Sequence, residues 1–372
     1  MPPLRQIFYI AMKARPLRVL FVFPYPHSTA ASQRFRFEQY LALLTSQGID
    51  YQLAAFWDEA TWRILYQPGH LFLKLSGLAK GFLRRLWLLR AVHRADRVFI
   101  HREATPIGPP WFEAYTRYIA RKPIIFDFDD AIWLPNTTQS NALARWFKFH
   151  QKTALICQWA TRISAGNDYL ADYARQFNPQ VILNPTTLDT QHWHNQVQDQ
   201  TTDIVRLGWT GTHSTLPYLT ALRPVLDQLH REGCAFELVV IADRPPDWQA
   251  PYLRFVPWQK NSEIADLLRF HIGLMPLTED SWALGKCGFK ALQYMALGIV
   301  AVASPVGVNK QIITHEQNGY LCQHDSEWRE ALQKLLQQQD LRTRLGQAGR
   351  QTVVDRYSVE SNQYNFVRLV SS

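Results

Sequence analysis

Short apolar runs recur along this chain, and each is followed by a polar loop and then by a helical pattern. The clearest runs lie at residues 17–23, 97–101, 123–126, 161–165, 205–210, 236–242 and 272–277. They have the length and the continuous apolar character of strands that are buried on both faces. Strands that alternate with amphipathic helices are typical of parallel sheets covered by helices on both sides. The pattern therefore predicts an α/β fold of doubly wound units.

The stretch 271–304 contains the fullest unit of this kind. A predicted strand leads into a loop with Gly285, Lys286 and Gly288, then into a helix and a second strand. Parallel strands joined by a helix place ligands at the carboxyl ends of the strands. The loop presents free backbone N–H groups at a helix N-terminus beside Lys286 and Lys290, which suits a phosphate or diphosphate. Solvated lysines and glycines that only form a turn fit the pattern equally well.

A second loop of this type follows the predicted strand at 205–210. It consists of Gly211, Thr212, His213 and Ser214, and a helix is expected from about residue 216. A glycine and several hydroxyl groups between a strand and a helix are suited to the oxygens of a phosphate. The sequence therefore predicts a second phosphate-binding junction.

The length of the chain and a change in its composition predict two domains. A chain of 372 residues is too long for one ordinary small domain. Residues 186–203 are polar and aperiodic, which is typical of a domain boundary. We therefore expect a leader at 1–16, a first domain at 17–185 and a second domain at 204–354. A last helix is expected within 355–372.

Composition excludes several classes of protein. Hydrophobic residues make up 47% of the chain and charged residues 19%, so wholesale disorder is excluded. The four cysteines are widely spaced without a Cys-x-x-Cys pair, so we expect no disulfide framework and no cysteine-based zinc site, and a reducing cytoplasm fits. We expect neither a signal peptide nor a transmembrane helix, because no apolar run is long enough. The net charge of +9 predicts attraction to an anionic partner.

The region 60–95 differs from the rest of the chain in its charge. It carries seven Lys and Arg residues and no acidic residue, interleaved with Trp, Phe and Leu. A basic helix with an apolar face can lie in the interface of an anionic membrane. The alternative is a packed helix whose arginines extend along the core. Nucleic acid would use the same charge, but no nucleic-acid motif accompanies it, so we expect a peripheral membrane contact and no nucleic-acid partner.

Three carboxylates, Asp127, Asp129 and Asp130, follow the predicted strand at 123–126. Adjacent like charges are costly unless a cation, a donor-rich ligand or solvent accommodates them. Asp127 and Asp129 fit an Asp-x-Asp metal pair, while Asp130 also fits a helix N-cap. We favour a third interpretation, in which the carboxylates bind the hydroxyl groups of a substrate or shape a cleft.

The stretch 271–304 resembles the donor region of the family 4 glycosyltransferases. Their pattern is Glu-x7-Glu with an inner Phe-Gly, followed by an Ala-Met-Ala-x-Gly run. The matching residues are Gly288 for the inner glycine and Met295, Ala296 and Gly298 for the run. Gly285 and Gln293 stand where the two glutamates are expected. Further similarities in the same order extend the resemblance over about residues 17–370.

The resemblance implies the GT-B fold, in which two Rossmann-like doubly wound domains face each other across a cleft. In this fold a C-terminal helix crosses back to the N-terminal domain. The implied activity is the transfer of a sugar from a nucleotide-sugar donor to a hydroxyl acceptor, with retention of configuration and without a metal or other cofactor. The basic region 60–95 favours a lipid-linked or cell-surface glycan as the acceptor, at the cytoplasmic face of a membrane.

The residue patterns and the resemblance together assign three roles. The donor-binding residues are Gly211, Thr212, His213, Ser214, Trp258, Gly288, Phe289, Lys290 and Gln293. The acceptor-binding residues are Arg34, Glu103 and Asp129. The catalytic residues are Lys286, His101 and Asp130, of which Lys286 would stabilise the charge that develops on the diphosphate leaving group.

Two other classes of function use domains of the same kind. A nucleotide-binding oxidoreductase would need Gly-x-Gly-x-x-Gly after a first strand, with an acidic residue about twenty positions later. Neither 24–31 nor 208–214 provides that pattern. A catalytically silent binding or scaffold protein of the same fold stays open, because both glutamates of the family pattern are missing. Turnover of a nucleotide-sugar would exclude it.

Overall fold

The computed structural model describes residues 15–134, 149 and 151–372. Within these residues the strands form two six-stranded sheets in which every pairing is parallel. Helices connect successive strands, as the alternating sequence pattern predicts. Most of the predicted leader at 1–16 lies outside the described residues.

The first sheet and its helices belong to the N-terminal domain. Its strands are β1 (Arg18–Phe23), β2 (Asp50–Ala55), β3 (Arg97–His101), β4 (Ile124–Phe128), β5 (Arg162–Ala165) and β6 (Val181–Leu183). Its helices are α1 (Ala31–Arg34), α2 (Leu41–Ser46), α3 (Glu59–Leu65), α4 (Leu71–Arg94), α5 (Trp111–Ala114), α6 (Lys152–Trp159) and α7 (Asp168–Arg175). The spatial order β2-β1-β3-β4-β5-β6 leaves β2 at one edge.

The second sheet has the order β12-β11-β10-β7-β8-β9. These strands are β7 (Val205–Thr210), β8 (Phe236–Ala242), β9 (Leu253–Pro257), β10 (Ile272–Met275), β11 (Val300–Ala303) and β12 (Tyr320–Leu321). The accompanying helices are α8 (Leu216–Ala221), α9 (Arg223–Arg231), α10 (Glu263–Leu267), α11 (Ser281–Leu284), α12 (Phe289–Ala296), α13 (Asn309–Ile312), α14 (Asp325–Gln337), α15 (Gln339–Arg356) and α16 (Val359–Ser371).

The central strands are buried on both faces. Every residue of β4, β10 and β11 is buried, which explains why these strands read as continuous apolar runs rather than as alternating patterns. Gly273 in β10 lets α12 approach the sheet closely. A Cβ atom added there would lie 2.2 Å from the ring of Tyr294, so only glycine fits.

The last helix, α16, packs on the N-terminal domain although it follows the C-terminal domain in sequence. Its Phe366 stacks on Tyr40 with ring centroids 4.2 Å apart, and Leu369 and Val370 are buried in the same core. The predicted GT-B architecture, with two Rossmann-like domains and a helix that crosses back, is confirmed.

The basic region 60–95 forms two helices, α3 and α4, rather than one. One of its arginines, Arg85, is fully buried and donates to the carbonyl oxygens of Ala104 (2.7 Å), Phe23 (2.9 Å) and Ala54 (3.1 Å). For Arg85 the alternative of a packed arginine is therefore correct. The other side of α4 is exposed, with several large apolar side chains on it. Among the described helices, none is both long and apolar enough to span a bilayer.

Candidate active site

Loops at the carboxyl ends of the two sheets meet at one junction. The Asn167 side chain, after β5, donates to the carbonyl oxygens of Leu284 (3.2 Å) and Lys286 (3.0 Å), after β10. A Cβ atom added at Gly285 would lie 2.7 Å from the Cβ atom of Ala131, after β4. Gly285 occupies the place of the first family glutamate, and the packing of the two domains leaves no room there for a side chain.

Two of the predicted substrate residues form contacts between the domains. Arg34 forms an ion pair with Glu263 across the cleft, with Nη2 and Oε2 2.7 Å apart. The ring of Phe289 packs on Phe35, with centroids 4.5 Å apart. In this arrangement both residues contribute to the contact between the domains. Acceptor binding by Arg34 and donor binding by Phe289 therefore stay predictions.

Lys290 and Gln293 lie one turn apart on α12 and therefore face the same side of this helix. The Lys290 ammonium lies 4.6 Å from the ring centroid of Trp209. Burial of this ammonium lowers the pKa of Lys290 to about 7, and the neighbouring charge of Lys286 lowers it further in the same direction. Gln293 is buried, and its Nε2 has no hydrogen-bond partner among the described residues. The helix thus presents a cation and a free donor on one face.

Gly288 is the N-cap residue of α12 and adopts a φ of 68°. This left-handed conformation favours glycine, because a side chain would be strained there. A Cβ atom at this position would also lie 2.2 Å from Cδ1 of Ile312. The glycine predicted to form the turn before the helix is therefore required by the backbone.

The loop after β7 is held by its own side chains. The hydroxyl groups of Thr212 and Ser214 lie 2.8 Å apart. His213 forms two hydrogen bonds with the carboxylate of Asp243, which directly follows β8. One involves the His213 backbone N–H and the other its Nδ1, and both are 2.6 Å long. A Cβ atom added at Gly211 would lie 2.4 Å from the ring of Trp209, the same ring that Lys290 contacts. The two predicted phosphate-binding loops are therefore neighbours at the edge of the second sheet.

Trp258 follows β9 at the carboxyl edge of the same sheet. Its backbone N–H donates to the Ala242 carbonyl oxygen (2.9 Å), and its side chain is exposed. An accessible indole ring in this place is available for stacking on a base, and its assignment to the nucleobase stays a prediction.

In the N-terminal domain, His101, Asp127 and Arg36 form a fully buried network. The Nδ1 atom of His101 lies 2.7 Å from one Asp127 oxygen, and the Arg36 guanidinium pairs with both oxygens. Ser164 donates to the same carboxylate at 2.5 Å. Burial alone would raise the pKa of Asp127, but the charge of Arg36 and the bond from His101 outweigh it and hold that pKa well below its usual range.

This network orients His101 at the end of β3. Because Asp127 is a carboxylate acceptor, it selects the tautomer with the proton on Nδ1 of His101. The other ring nitrogen, Nε2, is buried and has no hydrogen-bond partner among the described residues. His101 therefore presents an acceptor nitrogen whose orientation is set by a charged neighbour.

Asp129 and Asp130 lie beside Arg102 at the junction of the domains. The Arg102 guanidinium donates to Asp129 at 2.8 Å from Nε, and its Nη2 lies 4.0 Å from Asp130. Burial raises the pKa of Asp130, and the charges of Lys286 and Arg102 oppose this increase. Lys286 belongs to the C-terminal domain, so the structure brings two of the predicted catalytic residues, Asp130 and Lys286, close together across the cleft.

Three further basic residues at the site, Arg36, Arg102 and Lys152, are not among the predicted site residues. Lys152 pairs with the predicted acceptor residue Glu103, with Nζ and Oε2 3.2 Å apart. Each of these cations neutralises a carboxylate on another element. Their basic character is visible in the sequence, but no local pattern indicates which carboxylate each one meets.

The three carboxylates at the end of β4, Asp127 within the strand and Asp129 and Asp130 after it, do not gather into a metal site. Asp127 is enclosed by Arg36 and His101, whereas Asp129 pairs with Arg102. In the part of the chain that the structure describes, no group of three or more His, Cys, Asp or Glu side chains is arranged to hold a metal ion.

Residues 253–352 match the family described as glycosyl transferases group 1. This region contains α12 and the loop that precedes it. No curated protein matches the chain by sequence.

Most of the chain is similar in structure to solved glycosyltransferases. Sucrose-phosphate synthase from Thermosynechococcus elongatus aligns with a TM-score of 0.70 at 12% identity, over 95% of this chain and 98% of that one. A glycosyltransferase from Rickettsia africae aligns with a TM-score of 0.67 at 11% identity, over 96% and 98%. HepE from Anabaena, solved in complex with UDP-glucose, aligns with a TM-score of 0.62 at 12% identity, over 96% and 100%.

Proposed function

We propose that this chain transfers a sugar from a UDP-sugar to a hydroxyl acceptor with retention of configuration. The proposal starts from two findings: residues 253–352 match the glycosyl transferases group 1, and the described residues have the GT-B fold. The observation that carries the proposal is the set of groups gathered at the domain junction. Lys286, Lys290 and Gln293 lie on the side of the C-terminal domain, while Asp130 and His101 lie on the side of the N-terminal domain.

The donor diphosphate would lie at the start of α12. The N-terminal N–H groups of this helix and the two lysines stabilise the negative charge that develops on the leaving group. The unpartnered Nε2 of Gln293 donates to a ribose hydroxyl in the place where the family uses a glutamate. Gln293 can still form hydrogen bonds there, whereas the contact between the domains leaves no room for a side chain at Gly285.

The acceptor would lie on the N-terminal side of the cleft. His101 accepts a hydrogen bond at Nε2, and Asp130, whose pKa is raised by burial, lies within reach of the charge of Lys286. Closure of the two domains around the substrates excludes water, which strengthens these electrostatic interactions and limits hydrolysis of the donor.

The first experiment is calorimetric binding of UDP-glucose between pH 6 and pH 8. Neither the diphosphate nor the uracil of UDP-glucose titrates in this range, so a pH dependence reports on the protein. Lys290 has a pKa of about 7 when free, and a bound diphosphate favours its charged form. Binding at pH 7 should therefore take up about half a proton, and the Kd should rise by up to about tenfold per unit of pH above 7.

The variant Lys290→Met should bind UDP-glucose more weakly and lose this pH dependence. Lys80→Met, an exposed lysine on α4, is the matched control and should bind like the wild type. Binding of UDP-glucose that is equally strong in Lys290→Met would overturn the assignment of Lys290. Binding without turnover in the presence of any hydroxyl acceptor would favour the scaffold alternative.

The same proposal includes a lipid-linked or cell-surface glycan acceptor and a peripheral position on the cytoplasmic face of a membrane. Its support is the exposed side of α4, where Phe72, Leu75, Leu83, Leu86 and Trp87 recur at helical spacing. Basic residues flank this apolar stripe, and no acidic residue occurs in the helix. Such a surface suits the interface of an anionic bilayer.

Vesicle flotation tests this contact. We expect the protein to float with vesicles that contain anionic phosphatidylglycerol and not with vesicles of phosphatidylcholine alone. Trp87→Ser should reduce flotation, whereas Trp193→Ser should not. The two rings are matched in exposure, 67% and 64%, and only Trp87 lies on α4. Equal flotation of both variants would refute the role of α4.

A further inference from the structure

Three aromatic rings form a wall beside the carboxylates of the N-terminal domain. Tyr25, in the loop after β1, lies 4.7 Å from Trp62 of α3 between ring centroids. Trp62 in turn lies 5.5 Å from Tyr66, at nearly a right angle. Tyr66 is 59% exposed, so one side of the wall is open to solvent. Neither the donor assignment nor the acceptor assignment uses these rings.

Part-buried hydrogen bonds fix the two segments that carry the wall. Gln33 accepts a hydrogen bond from the Tyr25 backbone N–H (2.9 Å) and donates to the Tyr25 carbonyl oxygen (3.2 Å). Asp58 caps α3 by accepting from the backbone N–H of Thr61 (2.8 Å). Because both supporting elements are fixed, the rings are oriented before any ligand binds, which reduces the entropic cost of binding.

Polar groups of the candidate acceptor site border the wall. The hydroxyl of Tyr25 lies near the guanidinium of Arg102 and the carboxylate of Glu103. The charges of the same two residues also act on the hydroxyl of Tyr66. Flat aromatic faces next to guanidinium and carboxylate groups match a ligand with apolar C–H faces and a rim of hydroxyl groups.

We propose that Tyr25, Trp62 and Tyr66 form an acceptor subsite that binds a pyranose ring. The axial C–H groups of the sugar lie on the electron-rich aromatic faces, and its hydroxyl groups reach Arg102 and Glu103. This inference rests on the proposed glycosyl transfer and deepens it, because it names the residues that would bind a sugar ring of the glycan acceptor. An alkyl chain is a poorer match, because charged groups border the wall.

Saturation-transfer NMR tests the subsite, with UDP present so that the donor side is filled. The probe is octyl β-D-glucopyranoside below its micelle concentration. A tetraethylene glycol octyl ether is the comparison, since it has the same chain without the ring. We expect transfer mainly to the pyranose C–H protons of the glucoside, and little transfer to the ether. Tyr66→Ala should weaken glucoside binding by roughly threefold to tenfold.

Two variants control for the aromatic ring itself. Tyr66→Phe keeps the ring and should retain the pyranose signals, while Tyr364→Ala removes a 76% exposed ring on α16 and should change nothing. The inference would be overturned by transfer mainly to the octyl chain, by the absence of pyranose signals in the wild type, or by unchanged signals in Tyr66→Ala.

UDP binding, followed by thermal shift, should be equal in all variants. If the glucoside does not bind at the subsite but UDP still binds, the inference is wrong and the proposed glycosyl transfer is unaffected. If the wild type does not bind UDP, the proposed function is refuted.

Discussion

The buried network around Asp127 makes a stability prediction that can be worked out from its contacts. The side chains of Arg36 and Asp127 are 1% and 0% exposed, so neither charge is solvated by water. The variant Asp127→Asn keeps the shape of the side chain but removes its charge. The guanidinium of Arg36 would then be buried without a counter-charge, and His101 and Ser164 would lose their charged acceptor.

Removal of one partner of a buried ion pair costs about 3–5 kcal/mol. For a domain of this size, each kcal/mol lowers the Tm by about 2–4 °C, so the transition of the N-terminal domain should fall by about 6–20 °C. Differential scanning calorimetry is the suitable assay, because it separates transitions of two domains. Asp172→Asn is the control, since the pair of Asp172 with Arg175 is exposed on α7 and should contribute less than about 1 kcal/mol.

A double-mutant cycle separates the charge effect from simple loss of packing. In the double variant Arg36→Met with Asp127→Asn no uncompensated charge remains, so its loss of stability should be smaller than the sum of the two single losses. The reasoning would be refuted by a decrease in Tm below about 3 °C for Asp127→Asn, or by additive losses in the double variant.

Two further predictions concern buried basic groups. His271 accepts from the Arg206 backbone N–H at Nδ1 (3.0 Å), and burial lowers its pKa to about 4. The unfolded state therefore binds more protons between about pH 4 and pH 6.5, so the free energy of unfolding should fall as the pH decreases through that range, and His271→Gln should flatten the profile in urea titrations. Arg85→Met should cost about 2 kcal/mol or more in the same assay, because the carbonyl oxygens of three segments lose a charged donor, whereas the exposed Arg90→Met should stay within about 0.5 kcal/mol. A flat pH profile in the wild type, or equal losses for the two arginine variants, would contradict these assignments.

The sequence alone was sufficient for the fold class, because the information is local. Apolar runs of strand length and helices between them predict parallel sheets, and the sheets have that form. Gly288 was identified from its position before a helix, and its φ of 68° shows why the backbone requires glycine. The helix that crosses back, α16, was expected from the resemblance to the family 4 glycosyltransferases rather than from local patterns.

The candidate site was only partly visible in the sequence. Lys286, Lys290 and Asp130 were chosen from loops at the ends of predicted strands, and the structure gathers them at the domain junction. The buried partner of His101, which is Asp127, was not identified, and Arg36 was not among the predicted site residues. The reason for the missing family glutamate at Gly285 was also invisible, because it lies in the contact with Ala131.

What the sequence by itself determined is therefore the set of elements and the loops that carry polar groups, since each depends on neighbours a few residues apart. Only the tertiary structure decided which charges meet. Arg36 and Asp127 are 91 residues apart, and Arg34 and Glu263 are 229 apart. Pairs of this kind form because a buried charge is costly without a counter-charge, and that requirement is satisfied by whichever group the packed fold brings near. No local pattern contains that information.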